Sequence, residues 1–175
     1  MVPQLGFGEA LSLAFSRIGD MKGRSRRSEF WWTMLALFIA WILLGIIVAF
    51  ISSILSSILC VALFCAFTPL MCRRMHDVGK GNGLVFAFMA VYVLSALCSI
   101  IAIATLPSFE SMLLSGNIGG TSATFALLST VLMVVYIILG IICIVFWAQD
   151  SQGPNQYGPS PKYPEGKPQY GPQQQ

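Results

Sequence analysis

The sequence predicts an all-α membrane protein with four transmembrane helices, a short N-terminal amphipathic helix and a disordered C-terminal tail. Three observations predict it. Hydrophobic residues make up 56% of the chain and charged residues only 10%, where a soluble domain carries about 25% charged. The charges fall in a few short segments, and none lies between Trp31 and Met71. Past Asp150 the composition turns to Pro, Gly, Gln and Tyr and holds six of the nine prolines.

The elements follow in chain order. Phe7, Leu11, Ala14, Phe15 and Ile18 share one face at helical spacing, with Ser12, Ser16 and Arg17 off it. Such a helix either lies in the membrane surface or packs against the bundle. Charges persist to Glu29 and a long apolar run follows, which argues against a cleavable signal peptide. That run, Trp31 to Met71, would extend roughly 60 Å as helix. It is about twice the 30 Å hydrocarbon core, so it predicts two spans. They are placed at about 31–51 and 54–70, with the break at the serines between Ser52 and Ser57 and a bend at Pro69.

A third span is predicted at about 84–106, where Pro107 ends the hydrogen-bond ladder. A loop rich in Gly, Ser and Thr, with Glu110 its only charge, leads to a fourth span at about 125–147. Residues 1–150 thus form the membrane domain. The tail, 151–175, has too little apolar surface to fold, so truncation after Pro161 is expected to be silent.

Orientation follows from the basic residues. Arg17, Lys22, Arg24, Arg26 and Arg27 precede span one; Arg73, Arg74 and Lys80 separate spans two and three; Lys162 and Lys167 follow span four. Four spans put these segments on one side. By the positive-inside rule, both termini and the loop from Met71 to Gly83 are cytoplasmic.

That loop, MCRRMHDVGKGNG, holds the only histidine. At a helix centre each of its charges would cost roughly 2.5–3.5 kcal/mol, so it belongs at a membrane face. His76 and Asp77 are adjacent and point about 100° apart on a helix, which argues against a catalytic dyad. GKGNG lacks the spacing and the Ser/Thr of a phosphate-binding loop. The five cysteines show no metal-ligand spacing and read as small buried apolar residues. Catalytic residues, cofactors and metal ligands are therefore predicted as none, and the protein as no enzyme. Arg73 and Asp77 are spaced to pair within one helix. Asp77 and Glu29 are also placed to pair with Arg24 or Arg27.

Three separated pieces carry a resemblance: GRSRRSEFW at 23–31, RRMHDVG at 73–79 and GPNQYGPSP at 153–161. Together they resemble the bacterial inner-membrane family catalogued as domain of unknown function 805. The resemblance runs from about Ile18 to Pro161. One departure is Gly81-Asn82-Gly83-Leu84, where the family usually passes through a small residue into tryptophan. The resemblance implies a bacterial inner membrane and no activity.

The three pieces are expected to meet in one cytoplasmic cluster. Its residues are Gly23, Arg24, Arg27, Glu29 and Trp31; Arg73, Arg74, His76, Asp77 and Gly79; and Asn155, Tyr157, Gly158 and Pro159. The expected role is a structural or interaction module that contacts anionic lipid headgroups, a protein partner or a second copy of the chain, and not nucleic acid. A small transporter or channel component is the alternative. It is disfavoured because transporters usually carry ionisable groups within their spans and these four spans carry none.

Overall fold

The computed structural model describes residues 3–116 and 119–164. Its helices are α1 (Phe7–Ser16), α2 (Arg27–Ala49), α3 (Ser53–Ala66), α4 (Thr68–Asp77), α5 (Gly83–Ala104), α6 (Phe109–Ser115) and α7 (Gly120–Ala148). Among the described residues, four stretches are long and apolar enough to cross a membrane: α2, α3 with α4 (Ser53–Asp77), α5 and α7. The protein is an all-α membrane protein. Its chain divides into two compact units. One comprises Met1–Leu35, Phe67–Asn82 and Ile144–Gln175; the other comprises Ala36–Ala66 and Gly83–Cys143. The helices α2 and α7 supply residues to both.

The second unit is built on aromatic and small residues. Phe64 of α3 meets Tyr92 of α5 with ring centroids 4.9 Å apart, and Phe88 of α5 stacks on Tyr136 of α7 at 4.6 Å. Gly140 makes this approach feasible, because a Cβ there would lie 3.2 Å from the Phe88 ring. Ser95 donates to the Ser129 carbonyl at 3.1 Å, and Ser56 to the Gly45 carbonyl at 3.0 Å. Small residues and interhelical hydroxyl bonds are what hold helices together where lipid removes the hydrophobic drive. The outer faces remain apolar: Phe50 is 89% exposed, and Ile47, Val131 and Ile141 stand out beside it. Lipid tails, not water, suit such a surface.

The predicted boundaries change in four places. The chain turns between α2 and α3 just before the serine cluster, and Ser53, Ser56 and Ser57 lie within α3. The hydroxyls of Ser56 and Ser57 are satisfied by the Gly45 and Ser53 carbonyls, so they do not break the helix. The helical stretch that carries the second span continues past Leu70, as α4, to Asp77. Pro69 sits in the first turn of α4, where no backbone donor is needed. The loop after Pro107 contains α6, started by Ser108, whose hydroxyl accepts from the Ser111 N–H. The last helix begins at Gly120, with Thr124 turned back onto the Gly120 carbonyl.

The first unit inverts the usual relation of polarity to burial. Every residue of α4 is buried, although the helix carries Arg73, Arg74, His76 and Asp77. The helix α1 buries Ala10 and Ala14, while Phe7 and Phe15 rest edge-on against Trp32 and Phe67 and stay about half exposed. The tail expectation is corrected over residues 151–164, which fold against this unit: Ser151, Ser160 and Tyr163 are buried. Pro- and Gly-rich chain has few side chains to bury, but its backbone carbonyls are strong acceptors, and here they find buried donors. Residues 165–175 lie outside the described residues.

Candidate functional site

The buried charges of the first unit form one connected network. It begins at Gly23, whose φ of +78° turns the chain into the segment before α2. Arg24 follows and is 5% exposed. Its guanidinium donates from Nε and Nη2 to Asp77 Oδ1 at 3.1 and 2.9 Å. It also donates to the carbonyls of Gln152, Gly153 and Gly158 at 2.7, 2.8 and 3.0 Å. A guanidinium has five N–H groups, and this set of acceptors occupies all of them.

Asp77 is fully buried and its other oxygen accepts from Arg74 Nη1 and from the Ser151 hydroxyl. Its backbone carbonyl takes the Gln152 N–H at 3.0 Å. Arg74 continues to the end of α7, donating to the carbonyls of Trp147 and Gln149. These sit at a helix C-terminus, where carbonyls lack intrahelical partners and partial negative charge accumulates. Arg73 points the other way. It pairs with Glu29 Oε1 at 3.3 Å, donates to Ser25 Oγ at 3.0 Å and reaches the carbonyls of Arg17 and Asp20 at 2.6 Å. Ser25 closes the circuit by donating to Glu29 at 3.0 Å.

The network therefore sets three arginines against two carboxylates. The helix-end carbonyls of α7 supply the remaining negative potential. The expected Arg73–Asp77 pair does not form. Asp77 turns to Arg24 and Arg74, and Arg73, one residue further round the helix from Arg74, meets Glu29 on another side.

His76 lies at the edge of this network. Its Nδ1 donates to the Gly23 carbonyl at 3.0 Å, which fixes a proton on that nitrogen. Its ring stacks on Tyr157 at 3.8 Å with an interplanar angle of 7°. Asn155 holds Tyr157 there. The Asn155 side chain accepts from the Tyr157 N–H at 2.9 Å and donates to the His76 carbonyl at 3.0 Å. Gly158, at φ +112°, returns the backbone to Asn155 and closes the turn. Gly79, at φ +72°, follows the end of α4, and a Cβ there would clash with the Gln152 side chain.

Thus Gly23, Arg24, Glu29, Arg73, Arg74, His76, Asp77, Gly79, Asn155, Tyr157 and Gly158 share one network. Arg27, Trp31 and Pro159 stand outside it. Arg27 pairs with Asp150 at 2.7 Å and donates to the Ala148 carbonyl. Trp31 is 42% exposed, and Pro159 is exposed as well. Sequence reasoning missed Ser25, Ser151 and Asp150. Asp150 also binds Lys162 at 2.6 Å and the Tyr163 hydroxyl at 3.0 Å. Burial raises its carboxyl, but the bonds from Lys162 and Tyr163 and the nearby Arg27 outweigh that and hold it well below the usual range. Asp150 is the only acid between Glu110 and Glu165, which was the available signal. The two serines carried none, since nothing distinguishes them from neighbouring serines before the fold is known.

Chemically the network is closed. Its two carboxylates face three arginines, and the carbonyls at the end of α7 accept from Arg74 as well. Among the described residues no group of three or more His, Cys, Asp or Glu side chains is placed to hold a metal. Four apolar spanning helices and a buried charge network joining three chain segments define a multi-pass helical membrane protein. The family model described as "Protein of unknown function (DUF805)" matches residues 18–159. The chain belongs to that family. No curated protein and no solved structure matches it.

Proposed function

We propose that this protein is a non-enzymatic structural or interaction module of the bacterial inner membrane, with both termini and the 71–83 loop on the cytoplasmic side. One observation carries the reading. Arg24 spends every donor on Asp77 and on the 152–158 backbone, so the polar network acts as a clasp. Buried ion pairs often add little net stability but fix one arrangement over others. Here the arrangement joins the segment before α2, the end of α4 and the segment after α7, and it gives the protein a defined polar face on which a partner or lipid can dock. The one-sided distribution of Lys and Arg supports the cytoplasmic assignment.

The test joins topology to transport. Reporter fusions at residue 164 are expected to read cytoplasmic, and a reporter at Glu110 periplasmic. Liposomes containing the purified protein are expected to pass ions and small solutes no faster than empty ones. Protein-dependent flux would replace this reading with the transporter alternative, and a periplasmic C-terminal reporter would overturn the orientation.

A further inference from the structure

The helix α1 is pinned at both ends. Before it, the Leu5 N–H donates to Ser28 Oγ at 3.3 Å. After it, the Arg73 guanidinium donates to the Arg17 and Asp20 carbonyls at 2.6 Å each. The helix is thus fixed about its own axis, and residues four apart line up as stripes along it. Ala10 and Ala14 form the stripe buried within the unit. Gly8, Ser12 and Ser16 form an exposed stripe with no large apolar side chain. At about 100° per residue, the stripe of Phe7, Leu11 and Phe15 runs between those two. It is wholly apolar, and Phe7 and Phe15 are 47% and 55% exposed. Ile18 and Met21, just past the helix, are exposed as well. The clasp uses none of these side chains.

What covers this stripe follows from its level along the spans. The Phe7 ring meets Trp32 at 5.7 Å between centroids, and the Phe15 ring meets Phe67 at 5.9 Å. Trp32 stands three residues after Glu29, and Phe67 six residues before Arg73. At about 1.5 Å per residue, those rings lie roughly 5 and 9 Å along the spans from the nearest charge. Interfacial helices sink about 5–10 Å below the headgroup boundary. Both ends of the stripe therefore touch a spanning stretch at interfacial depth, where the first span begins and the second ends. The eight residues from Phe7 to Phe15 cover about 12 Å, enough to cross the 8–10 Å between packed helix axes. So α1 runs along the membrane surface from one span to the other. Its apolar stripe is continuous with the outer face of α2, where Trp32 and Leu35 are exposed.

We propose that α1 is seated in the lipid leaflet at this end of the spans, with Phe7, Leu11 and Phe15 among the acyl chains, Ala10 and Ala14 against the protein, and Ser12 and Ser16 in water. The helix then has a protein side, a lipid side and a water side, in the order of its three stripes. Lipid is the occupant because it already surrounds the spans that both ends of the stripe touch. The stripe is also one residue wide, which suits a helix lying in an interface more than a face that docks another protein. The inference goes beyond the module reading, and it needs the four spans but not the side of the membrane on which the termini lie.

The experiment is spin labelling of the full chain in phosphatidylethanolamine–phosphatidylglycerol liposomes. Its five cysteines are replaced by alanine, and single nitroxides are placed through Phe15→Cys, Ser12→Cys, Ser16→Cys and, as the lipid-facing standard, Ile47→Cys. Each label is read by its collision rate with oxygen, which partitions into lipid, relative to a water-soluble nickel chelate. The ratio at 15 is expected to approach that at 47, and the ratios at 12 and 16 to fall well below it. A ratio at 15 equal to that at 16 overturns the proposal, because the stripe then faces water. A label at 15 shielded from both reagents overturns it too, because a second copy or another protein then covers the stripe. A second measurement needs no substitution and keeps the test valid should the cysteine-free chain fail to fold. The wild-type chain is irradiated in liposomes whose lipids carry a photoactivatable acyl chain. Label is expected on Phe7 or Phe15 as well as on the outer faces of the spans; spans labelled and residues 7–18 bare would overturn the proposal. Reversed topology reporters or leaky liposomes would change the proposed function and leave this seat in place, whereas water at position 15 would remove the seat and leave the module reading intact.

Discussion

Asp77→Asn is the sharpest probe of the clasp. The substitution keeps the shape and removes one charge, at a position with no exposed surface. Arg24 and Arg74 then lose their shared counter-charge while their side chains are 2% and 0% exposed. The new amide NH₂ would face either Arg24 or Arg74 and the Ser151 hydroxyl, setting a donor against donors. Breaking a buried pair costs about 3–5 kcal/mol. Both arginines keep carbonyl acceptors, Gln152, Gly153 and Gly158 for one and Trp147 and Gln149 for the other. The loss should therefore lie near the lower end, at about 3 kcal/mol. On the scaling of soluble domains of this size, that corresponds to roughly 10 °C in Tm. The assay is the temperature at which half the protein survives heating in detergent, read by size exclusion. Asp20→Asn is the control: its pair with Arg17 is partly exposed and should be worth at most about 1 kcal/mol. Adding Arg74→Met to Asp77→Asn should restore part of the loss by removing one orphaned charge. If Asp77→Asn melts with Asp20→Asn, the network does not hold these segments together.

Gly79→Ala should cost about 1–2 kcal/mol from the left-handed backbone alone, plus the clash with Gln152. Gln152→Ala in the same chain should relieve the clash and leave the backbone term, as a double-mutant cycle by thermal melting will read. Gly140→Leu drives a side chain into the Phe88 ring, already 3.2 Å from a bare Cβ, and should cost about 1–3 kcal/mol of overpacking or more. The Asp150 carboxyl is lowered in the fold from its usual value near 3.8. Its stabilisation is thus fully present above about pH 4 and is lost as pH falls through the lower folded value. Limited proteolysis at Lys162 should accelerate only on acidification below that point. Truncation after Pro161 removes Lys162 and Tyr163 from Asp150; it should lower the melting temperature, contrary to the expectation of a silent tail, and an unchanged melt would return that expectation.

The apolar runs by themselves determined the class, the number of spans and the third span nearly to the residue, because hydrocarbon solvation acts on each segment separately and depends on length and composition. What they could not determine was where polar chain stops. The helix of the first span starts at Arg27 and that of the second runs on to Asp77, since charges can enter or end a helix once a counter-charge is supplied. Those counter-charges come from distant positions: Asp77 from Arg24, Glu29 from Arg73. Spacing suggested Arg73 with Asp77, a local rule that holds only when no better partner lies across the fold. The tail shows the same dependence. Its composition has no core to form, and residues 151–164 are ordered because Arg24 and Asp77 present donors and acceptors to their backbone. Hydrophobic transfer is local and additive, and so it was legible in the sequence. The pairing of buried charge is a property of two or more segments at once, and so only the tertiary structure decided it.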